Sequence, residues 1–348
     1  MSLSSALLVA VTPSAPHRTR YAAVLLAAMA LLLPACVSRQ HATGPGQVPK
    51  QVPLSQLADI TLQVGDQKSV GTEAMLRAAG QLQGLPYRID FSTFTSGPPM
   101  VEAAAAGKID FAITGDTPPI FGAVANARIM VVSAYDGGGP GDQILVHTDS
   151  TIRSVPDLRG KTIALAKGSS AHANVLDQLD QSGLKPADVH LVFLQPADAL
   201  SGFRNGQVDA WAVWDPYTAQ AEQQLAVRGL VTRKHKYSFG IASDKALADA
   251  KTNTALGDLL TRYVRAAAWA REHPQEWAAE YAKSAGVDPA VAAVAQGRTL
   301  RQPISLDDTV VDAEQRLTDL FAAAGQIQSA PHFGDWVDRR FNATAATH

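Results

Sequence analysis

The chain has 348 residues, and its 30 Lys and Arg nearly balance its 32 Asp and Glu, which gives a net charge of −2 at pH 7. This balance leaves no basic footprint for nucleic acid, so DNA- and RNA-binding proteins are excluded as a first hypothesis. One cysteine excludes an intramolecular disulfide, and the nine histidines show no metal-ligand spacing. The length exceeds a typical domain of about 100–200 residues and favours two lobes.

The N-terminus has the composition of an export signal. Residues 1–20 carry two arginines and no acid, and residues 21–33 form an apolar run. This run is shorter than the roughly 20 residues that a membrane-spanning helix needs. It ends in a Leu-Pro-Ala-Cys sequence that resembles the bacterial lipobox, in which the cysteine becomes the lipidated first residue. We predict a signal peptide over residues 1–36 and lipidation of Cys36; an ordinary signal peptide with a chance cysteine is the alternative.

The segment after Cys36 differs from the rest of the chain. Residues 37–57 are rich in Ser, Gly, Pro and Gln, a composition that buries no core and predicts a flexible tether. Removal of residues 1–36 takes away two arginines and no acid, so the exported chain carries a net charge of −4. The globular part is predicted to begin at residue 58.

Strand and helix patterns then alternate along the chain. In its first part the predicted strands are residues 60–64, 87–91, 111–114 and 129–133, and the predicted helices are 72–83, 98–106 and one that opens at Thr117. Residues 144–147 are predicted to cross to a second lobe with strands at 161–166 and 189–194 and helices that end at Gly183 and Arg204. Residues 225–232 and 237–243 lead back, and the chain from Thr254 is predicted to be helical and to wrap the first lobe.

Two segments about a hundred residues apart follow one template. A Gly-Lys-Ile-Asp sequence ends at Asp110, and a Gly-Gln-Val-Asp sequence ends at Asp209. Each follows a predicted helix, begins a short apolar strand, and precedes a second aspartate near proline, namely Asp116 or Asp215. Because open α/β sheets bind ligands at the carboxyl ends of their strands, the duplication predicts two lobes that offer strand-end loops to a shared cleft.

The order of elements predicts an α/β protein with mainly parallel sheets. Lobe 1 is predicted to be discontinuous, with residues 58–142 and 238–341, and lobe 2 is predicted to be residues 143–237. Two chain crossings supply the hinge that closure around a ligand requires.

The loop at residues 167–172, Lys-Gly-Ser-Ser-Ala-His, joins a predicted strand to a predicted helix. Free backbone N–H groups and partial positive charge make such a helix start an anion site. Gly168 lets the backbone approach a ligand, and the hydroxyls of Ser169 and Ser170 add donors that suit a tetrahedral oxyanion. An ordinary N-cap serine beside a permissive glycine is the alternative. His172 is expected to be a donor at the ligand or a buried polar residue.

A second helix start, at Gly115, Asp116 and Thr117, is predicted to face the same cleft. Thr117 is expected to contact the ligand, to cap the helix, or to do both. A carboxylate repels an anion, so Asp116 and Asp215 are expected to orient backbone donors, hold water, or bind an amine.

Two further side chains follow predicted strands. Trp214 is expected to form an apolar wall of the cleft or part of the core, and Gln67 offers an amide that donates and accepts. Lys68, beside it, is expected to be solvated or to face the cleft. Neutral donors and helix dipoles are expected to hold an oxyanion without a fixed arginine, because closure excludes water.

A hydrolase triad can be drawn from Ser169, His172 and Asp215. No G-x-S-x-G elbow surrounds the serine, and His172 follows it by three residues on the same predicted helix. The site context of a nucleophilic serine is therefore missing, and we expect no catalysis from these residues.

Several motifs occur together between roughly residues 60 and 340. They are Ser-Gly-Pro-Pro at 96–99, Gly-Lys-Ile-Asp at 107–110, Gly-Asp-Thr-Pro-Pro at 115–119, Lys-Gly-Ser-Ser-Ala-His at 167–172, Pro-Ala-Asp-Ala at 196–199, Val-Trp-Asp-Pro at 213–216 and Glu-Gln-Arg-Leu at 314–317. In these motifs the chain resembles the substrate-binding proteins of ABC importers for aliphatic sulfonates, close to the taurine and nitrate binders.

The resemblance implies a type II periplasmic-binding-protein fold, with two α/β lobes, a hinge and a ligand cleft between the lobes. It implies an exported monomer, periplasmic or anchored to the membrane as a lipoprotein, that hands an alkanesulfonate to an ABC permease without catalysis, cofactor or metal. The ligand-binding set that it implies is Gln67, Gly115, Asp116, Thr117, Ser169, Ser170, His172, Trp214 and Asp215.

Other functions stay open at the level of sequence. The same receptor could take taurine, nitrate or a sulfate ester, and related folds also serve small-molecule enzymes. Two departures from the family pattern concern the ligand's tail: Asp66 stands where members often have an aromatic residue, and residues 135–143 are unusually rich in glycine. Both segments are expected to border the pocket.

Overall fold

The structure is a computed structural model that describes residues 48–230, 233 and 236–342. The predicted signal peptide, the predicted lipidation site Cys36 and residues 37–47 of the predicted tether lie outside the described residues. Among the helices of the described part, none combines the length and the apolar composition that crossing a bilayer requires.

Strands and helices alternate through most of the described chain. The strands are β1 (Thr61–Gln67), β2 (Arg88–Phe94), β3 (Phe111–Gly115), β4 (Ile129–Asp136), β5 (Gln143–His147), β6 (Thr162–Leu165), β7 (His190–Phe193), β8 (Ala210–Val213), β9 (Val227–Gly229), β10 (Tyr237–Ser243) and β11 (Gln302–Ile304). The helices are α1 (Thr72–Ala78), α2 (Gly97–Ala105), α3 (Thr117–Val124), α4 (Ser170–Gln181), α5 (Pro196–Arg204), α6 (Tyr217–Gln224), α7 (Asp244–Ala248), α8 (Ala250–Glu272), α9 (Pro274–Ala285), α10 (Pro289–Thr299) and α11 (Asp308–Ala323).

These strands form two separate sheets, so the predicted α/β architecture is confirmed. The first sheet has the order β11-β4-β10-β3-β1-β2, and the second has the order β7-β6-β8-β5-β9. The chain passes from the first sheet to the second between β4 and β5, and returns between β9 and β10. The ranges 58–142 with 238–341 and 143–237 stay our proposed lobe boundaries.

The prediction of mainly parallel sheets is wrong for part of each sheet. β1 is parallel to β2 and β3, and β6 is parallel to β7 and β8, as βαβ units require. β10 is antiparallel to β3 and β4, and β5 is antiparallel to β8 and β9. The crossing strands enter from the other sheet without a helical crossover, so nothing forces them to be parallel.

The duplicated template has a common structural cause. Asp110 Oδ2 accepts a hydrogen bond of 2.8 Å from the backbone N–H of Gln63 in β1. Asp209 Oδ2 accepts one of 2.8 Å from the backbone N–H of Thr162 in β6. Each aspartate also donates its own N–H to the carbonyl of the same partner residue. The first aspartate of each repeat therefore ties the start of β3 to β1 in the first sheet and the start of β8 to β6 in the second.

The two ends of the globular part differ from the sequence predictions. Leu57, assigned to the tether, is fully buried in the core, and Val52 packs against the same cluster. The tether prediction is therefore wrong for this stretch, because scattered apolar residues among polar ones and prolines show no periodicity. Near the other end, β11 interrupts the chain that was predicted to be wholly helical, and it pairs with β4.

The two template aspartates predict a difference in stability. Asp110→Ala should lower the free energy of unfolding by about 2 kcal/mol, because it leaves the partly buried N–H of Gln63 without its charged acceptor. Asp209→Ala should cost less, about 1 kcal/mol, because Asp209 is exposed and water can replace it. Urea denaturation of both variants measures the difference. An equal or larger loss for Asp209→Ala would contradict this account.

Candidate functional site

A cavity of about 40 Å³, room for about three water molecules, lies where loops of the two sheets meet. Strand ends, loops and helix starts of both lobes form its wall. Those around the first sheet contribute Gln67, Gly97, Gly115, Pro118, Gly137, Tyr237 and Ser238, and those around the second contribute Asp142, Ser169, Ser170, Trp214 and Asp215. Lys236, Thr299 and Arg301 complete the wall. Six of the nine predicted site residues are therefore brought together here. The other three, Asp116, Thr117 and His172, do not line this cavity.

The start of α4 forms one wall of the cavity. Ser169 is its N-cap: its Oγ accepts a hydrogen bond of 3.4 Å from the N–H of His172 and donates one of 2.7 Å to the carbonyl of Ala166. The Ser169 hydroxyl therefore donates its proton to the backbone and not to a ligand. This is the alternative stated from the sequence, in which Ser169 is an ordinary N-cap serine. The N–H groups of Ser170 and Ala171 have no acceptor within the helix, so they are the donors that this helix end presents.

The opposite wall comes very close to this helix start. Gly115 is the last residue of β3, and a Cβ placed on it would lie 3.3 Å from Cβ of Ser170. Such a contact is tighter than ordinary van der Waals packing, so a larger residue would push the two walls apart. The missing side chain therefore lets the strand end of the first sheet approach the helix start of the second.

A short chain of hydrogen bonds joins the two lobes beside the cavity. Gln67, at the end of β1 rather than in the predicted loop, donates from Nε2 to Ser69 Oγ at 2.5 Å. Trp214, after β8 of the second sheet, donates from Nε1 to the same oxygen at 3.3 Å. All three side chains are buried. The indole of Trp214 is therefore a wall of the cleft that also holds the lobes together.

At the second predicted helix start, Gly115 lines the cavity but Asp116 and Thr117 do not. Asp116 Oδ1 accepts from Thr117 Oγ1 at 2.8 Å, and its Oδ2 forms a buried ion pair with Arg233 on the returning segment. Pro118 and Pro119 follow, so the first turn of α3 offers few N–H donors. Glu314 is also buried nearby, and burial together with the charge of Asp116 raises its pKa well above the ordinary value. The carboxylate of Asp116 thus pairs with an arginine and does not face the cavity.

His172 is enclosed by aromatic rings. It is fully buried, with ring-centre distances of 5.0 Å to Phe321 and 5.4 Å to Phe193. Its Nδ1 accepts a hydrogen bond of 3.3 Å from the N–H of Gly168. Burial, reinforced by the charge of Lys167, lowers the pKa of His172 to about 4, so the ring is neutral at pH 7. With Ser169 bonded to the backbone, the hydroxyl and the imidazole do not form a nucleophile–base pair.

Asp215 faces the cavity with one oxygen unsatisfied. Its Oδ1 accepts from the N–H of Ala219 at 3.0 Å and lies 3.9 Å from Arg298 Nη1, while its Oδ2 is buried without a partner. Burial raises the pKa of Asp215 to about 7, although the charge of Arg298 opposes this effect. The group is therefore partly protonated near neutral pH, and it repels an anion less than an ordinary carboxylate.

Two cations line the cavity, which corrects the expectation of a site without a fixed arginine. Lys236 Nζ is buried and lies 3.0 Å from Asp142 Oδ1, so its charge is matched within the protein. The side chain of Arg301 donates from Nε to Ser238 Oγ at 3.1 Å. Among the described residues, no carboxylate forms an ion pair with Arg301. A net positive charge therefore remains in the wall.

These cations carry no sequence signal that would have revealed them. Arg301 comes between α10 and β11, in a region predicted to be one helical array, and Lys236 lies on the returning segment just before β10. The tertiary fold alone brings both to the cavity. Only the correct assignment of β11, which pairs with β4 at the edge of the first sheet, would have pointed to Arg301.

Comparisons with known proteins decide the family. The model of the family described as NMT1/THI5 like matches residues 92–277, more than half of the chain. This chain belongs to the NMT1/THI5-like family. The resemblance stated from the motifs is therefore confirmed at the level of the family.

Several proteins that resemble the chain are sulfonate binders by name. A protein of Escherichia coli (strain K12) named as an aliphatic sulfonates-binding protein is 36% identical over 268 residues, which are 75% of this chain and 83% of that protein. The alkanesulfonate-binding protein SsuA from Xanthomonas axonopodis pv. citri, solved bound to MOPS, is 30% identical with a TM-score of 0.74 and covers 80% of this chain and 98% of its own. The periplasmic aliphatic sulphonate binding protein SsuA from Escherichia coli is 31% identical with a TM-score of 0.71 and covers 80% and 92%. The predicted fold class is confirmed.

Only one of the two departures from the family pattern, Asp66 and the glycine-rich residues 135–143, borders the cavity. Asp66 does not line the cavity; its carboxylate accepts from the N–H groups of Thr72 at 2.9 Å and Glu73 at 3.0 Å and so holds the start of α1. The glycine-rich segment does reach the cavity, at Gly137. A Cβ on Gly141 would lie 2.8 Å from Asp215 Oδ2, so this segment packs against the wall of the site.

The state of Asp215 predicts a pH-dependent gain in stability for Asp215→Asn. The folded pKa of about 7 lies above the ordinary value of 3.8, so ionisation is free in the unfolded chain but costly in the folded protein. The variant should match the wild type near pH 4 and exceed it by up to about 4 kcal/mol at pH 8, at about 1.4 kcal/mol per pKa unit. The amide can still accept from Ala219.

Urea denaturation across this pH range measures the gain in the free energy of unfolding. The matched control is Asp157→Asn, at an exposed carboxylate whose hydrogen bonds to Arg153 and Ser154 lower its pKa. Its stability difference should not grow in favour of the variant as pH rises. A pH-independent difference for Asp215→Asn would contradict the assignment.

Proposed function

We propose that this protein is the extracytoplasmic solute-binding component of an ABC importer and that it binds aliphatic sulfonates in the cavity between its lobes. The observation that carries the proposal is the pairing of Arg301, a wall cation without a carboxylate partner among the described residues, with the free donors at the start of α4. A small anion satisfies both. The sulfonate-binding names of the relatives support the same ligand class.

The chemistry of the wall fits a sulfonate group. A sulfonate has three equivalent oxygens and carries its charge at any physiological pH, so it needs donors and no general base. The N–H groups of Ser170 and Ala171 supply donors, and Arg301 supplies a matched charge. Asp142 is neutralised by Lys236, so one of the two wall carboxylates adds little repulsion.

The remaining predicted residues would act indirectly or by shape. Trp214 offers an apolar face for the carbon attached to sulfur, and Gln67 offers an amide, although it also bonds Ser69. Gly115 would permit closure. Asp116, Thr117 and His172, which do not line the cavity, would support the starts of α3 and α4 and would not contact the ligand.

The proposal is a receptor without catalysis. The Ser169 hydroxyl caps a helix and the His172 ring is neutral and enclosed by aromatic side chains, so neither is placed to act on a substrate. The described residues contain no group of three or more His, Cys, Asp or Glu side chains that could hold a metal. We further propose that the chain works as an exported monomer, lipidated at Cys36, that delivers its ligand to a membrane permease.

A ligand panel tests the proposed function directly. Isothermal titration calorimetry and thermal shift should detect methanesulfonate, ethanesulfonate and longer alkanesulfonates, because a ligand at a hundred times its Kd adds about 2.7 kcal/mol of stability. Taurine, nitrate, sulfate and sulfate esters complete the panel. Selective binding of alkanesulfonates is expected; preference for taurine or nitrate, or no binding of any oxyanion, would refute the assignment.

Arg301→Gln should weaken ethanesulfonate binding about 10- to 100-fold, because a hydrogen bond to a charged group contributes roughly 1.5–3 kcal/mol. The matched control is Arg77→Gln, which removes an exposed arginine that pairs with Glu73 within α1. Calorimetry should show no change in affinity for the control. If both variants bind as the wild type does, the anion does not lie at Arg301.

A further inference from the structure

A second concavity, of about 820 Å³, lies between the lobes beside the proposed sulfonate cavity. Its walls come from α2 and α3 on one side and from the loops after β6 and β7 on the other. The apolar part of the wall includes Pro98, Val101, Phe121, Phe193 and Leu194. We call this concavity the apolar groove.

Phe193 is the most unusual side chain of the apolar groove. It is 43% exposed, one of few large apolar side chains left open to solvent among the described residues. Lys167 Nζ lies 5.6 Å from its ring centre. An exposed aromatic ring in a large apolar concavity marks a place where an apolar group binds.

The apolar groove and the sulfonate cavity adjoin each other. Pro118 lines both. Gly97 and Ser169 line the cavity, and their immediate neighbours Pro98 and Gly168 line the apolar groove. The groove therefore begins directly beside the start of α4, where the proposed anion site lies.

The two compartments differ in chemistry as the two ends of an amphiphile do. The cavity is small, polar and bears the unmatched charge of Arg301, whereas the apolar groove is about 820 Å³ and lined mostly by carbon. The wall of the groove contains three charged side chains, Glu102, Lys167 and Asp198. Because two of the three are acidic, the groove does not favour the binding of a second anion.

From this juxtaposition we propose that the apolar groove is the subsite for the tail of the ligand and that the protein takes sulfonates with long alkyl or aryl tails. The inference rests on the proposed function, since it assigns the tail of the same ligand. The ring of Phe193 packs against the tail, and both lobes contact it. Tail contacts thus add to the free energy of closure.

The test compares a short and a long sulfonate on the full exported chain by calorimetry. Wild type should bind 1-octanesulfonate and 2-naphthalenesulfonate at least about tenfold more tightly than methanesulfonate, because burying apolar surface is favourable. Phe193→Ala should lose about tenfold for the two large ligands and less than about twofold for methanesulfonate. Val294→Ala, at a side chain 44% exposed that lines neither site, is the matched control.

A second variant tests the groove independently, in case Phe193→Ala fails to fold. Ala125→Asp changes an exposed groove residue on the other lobe and places a carboxylate beside the tail. It should also weaken only the large ligands.

The outcomes separate this inference from the proposed function. Methanesulfonate that binds equally to all variants, with selective loss of the large ligands, supports the tail subsite. Wild type that binds methanesulfonate as tightly as 1-octanesulfonate, or variants that bind every ligand unchanged, would overturn it while leaving the proposed function intact. Failure of every sulfonate to bind wild type would refute the proposed function itself.

Discussion

The site depends on one close contact, between the carboxyl end of β3 and the amino end of α4. Gly115 and Ser170 approach so closely that a single methyl group would fill the space between them. Strand ends supply the carbonyl edge of a sheet, and helix starts supply unpaired N–H groups, so this contact encloses donors in a space sheltered from water. Donors sheltered in this way interact more strongly with an anion than the same donors on a surface.

Charge balance is the second constraint on this enclosure. The cavity wall contains two carboxylates, Asp142 and Asp215, and two cations, Lys236 and Arg301. Only one carboxylate and one cation form an ion pair with each other. Asp142 is matched by Lys236, Asp215 is buried with an elevated pKa, and Arg301 bonds only to a serine hydroxyl within the described structure. Because Asp215 is partly protonated near neutral pH, the wall keeps a net positive charge, which favours an anion over a neutral solute.

The architecture could be predicted from the sequence, whereas most of the charge pairing in the site could not. Alternating patterns and the duplicated Gly-x-x-Asp template predicted two α/β lobes and placed Gly115, Ser170 and Trp214 at the cleft, since strand-end loops are local features. Side-chain partners are not local: Asp116 pairs with Arg233, which is 117 residues away, and Arg301 reaches the wall through an unexpected strand. Polarity alone could not show that the Ser169 hydroxyl is committed to its own helix.

The bond from Trp214 to Ser69 gives the molecule an internal optical probe. An indole whose N–H is bonded across the cleft, at 3.3 Å and in a buried setting, emits differently from one whose N–H meets water. Trp211 and Trp277 lie wholly within the cores of single lobes, so their emission stays constant when the lobes separate. Opening of the cleft should therefore change the tryptophan emission of the unlabelled protein through Trp214.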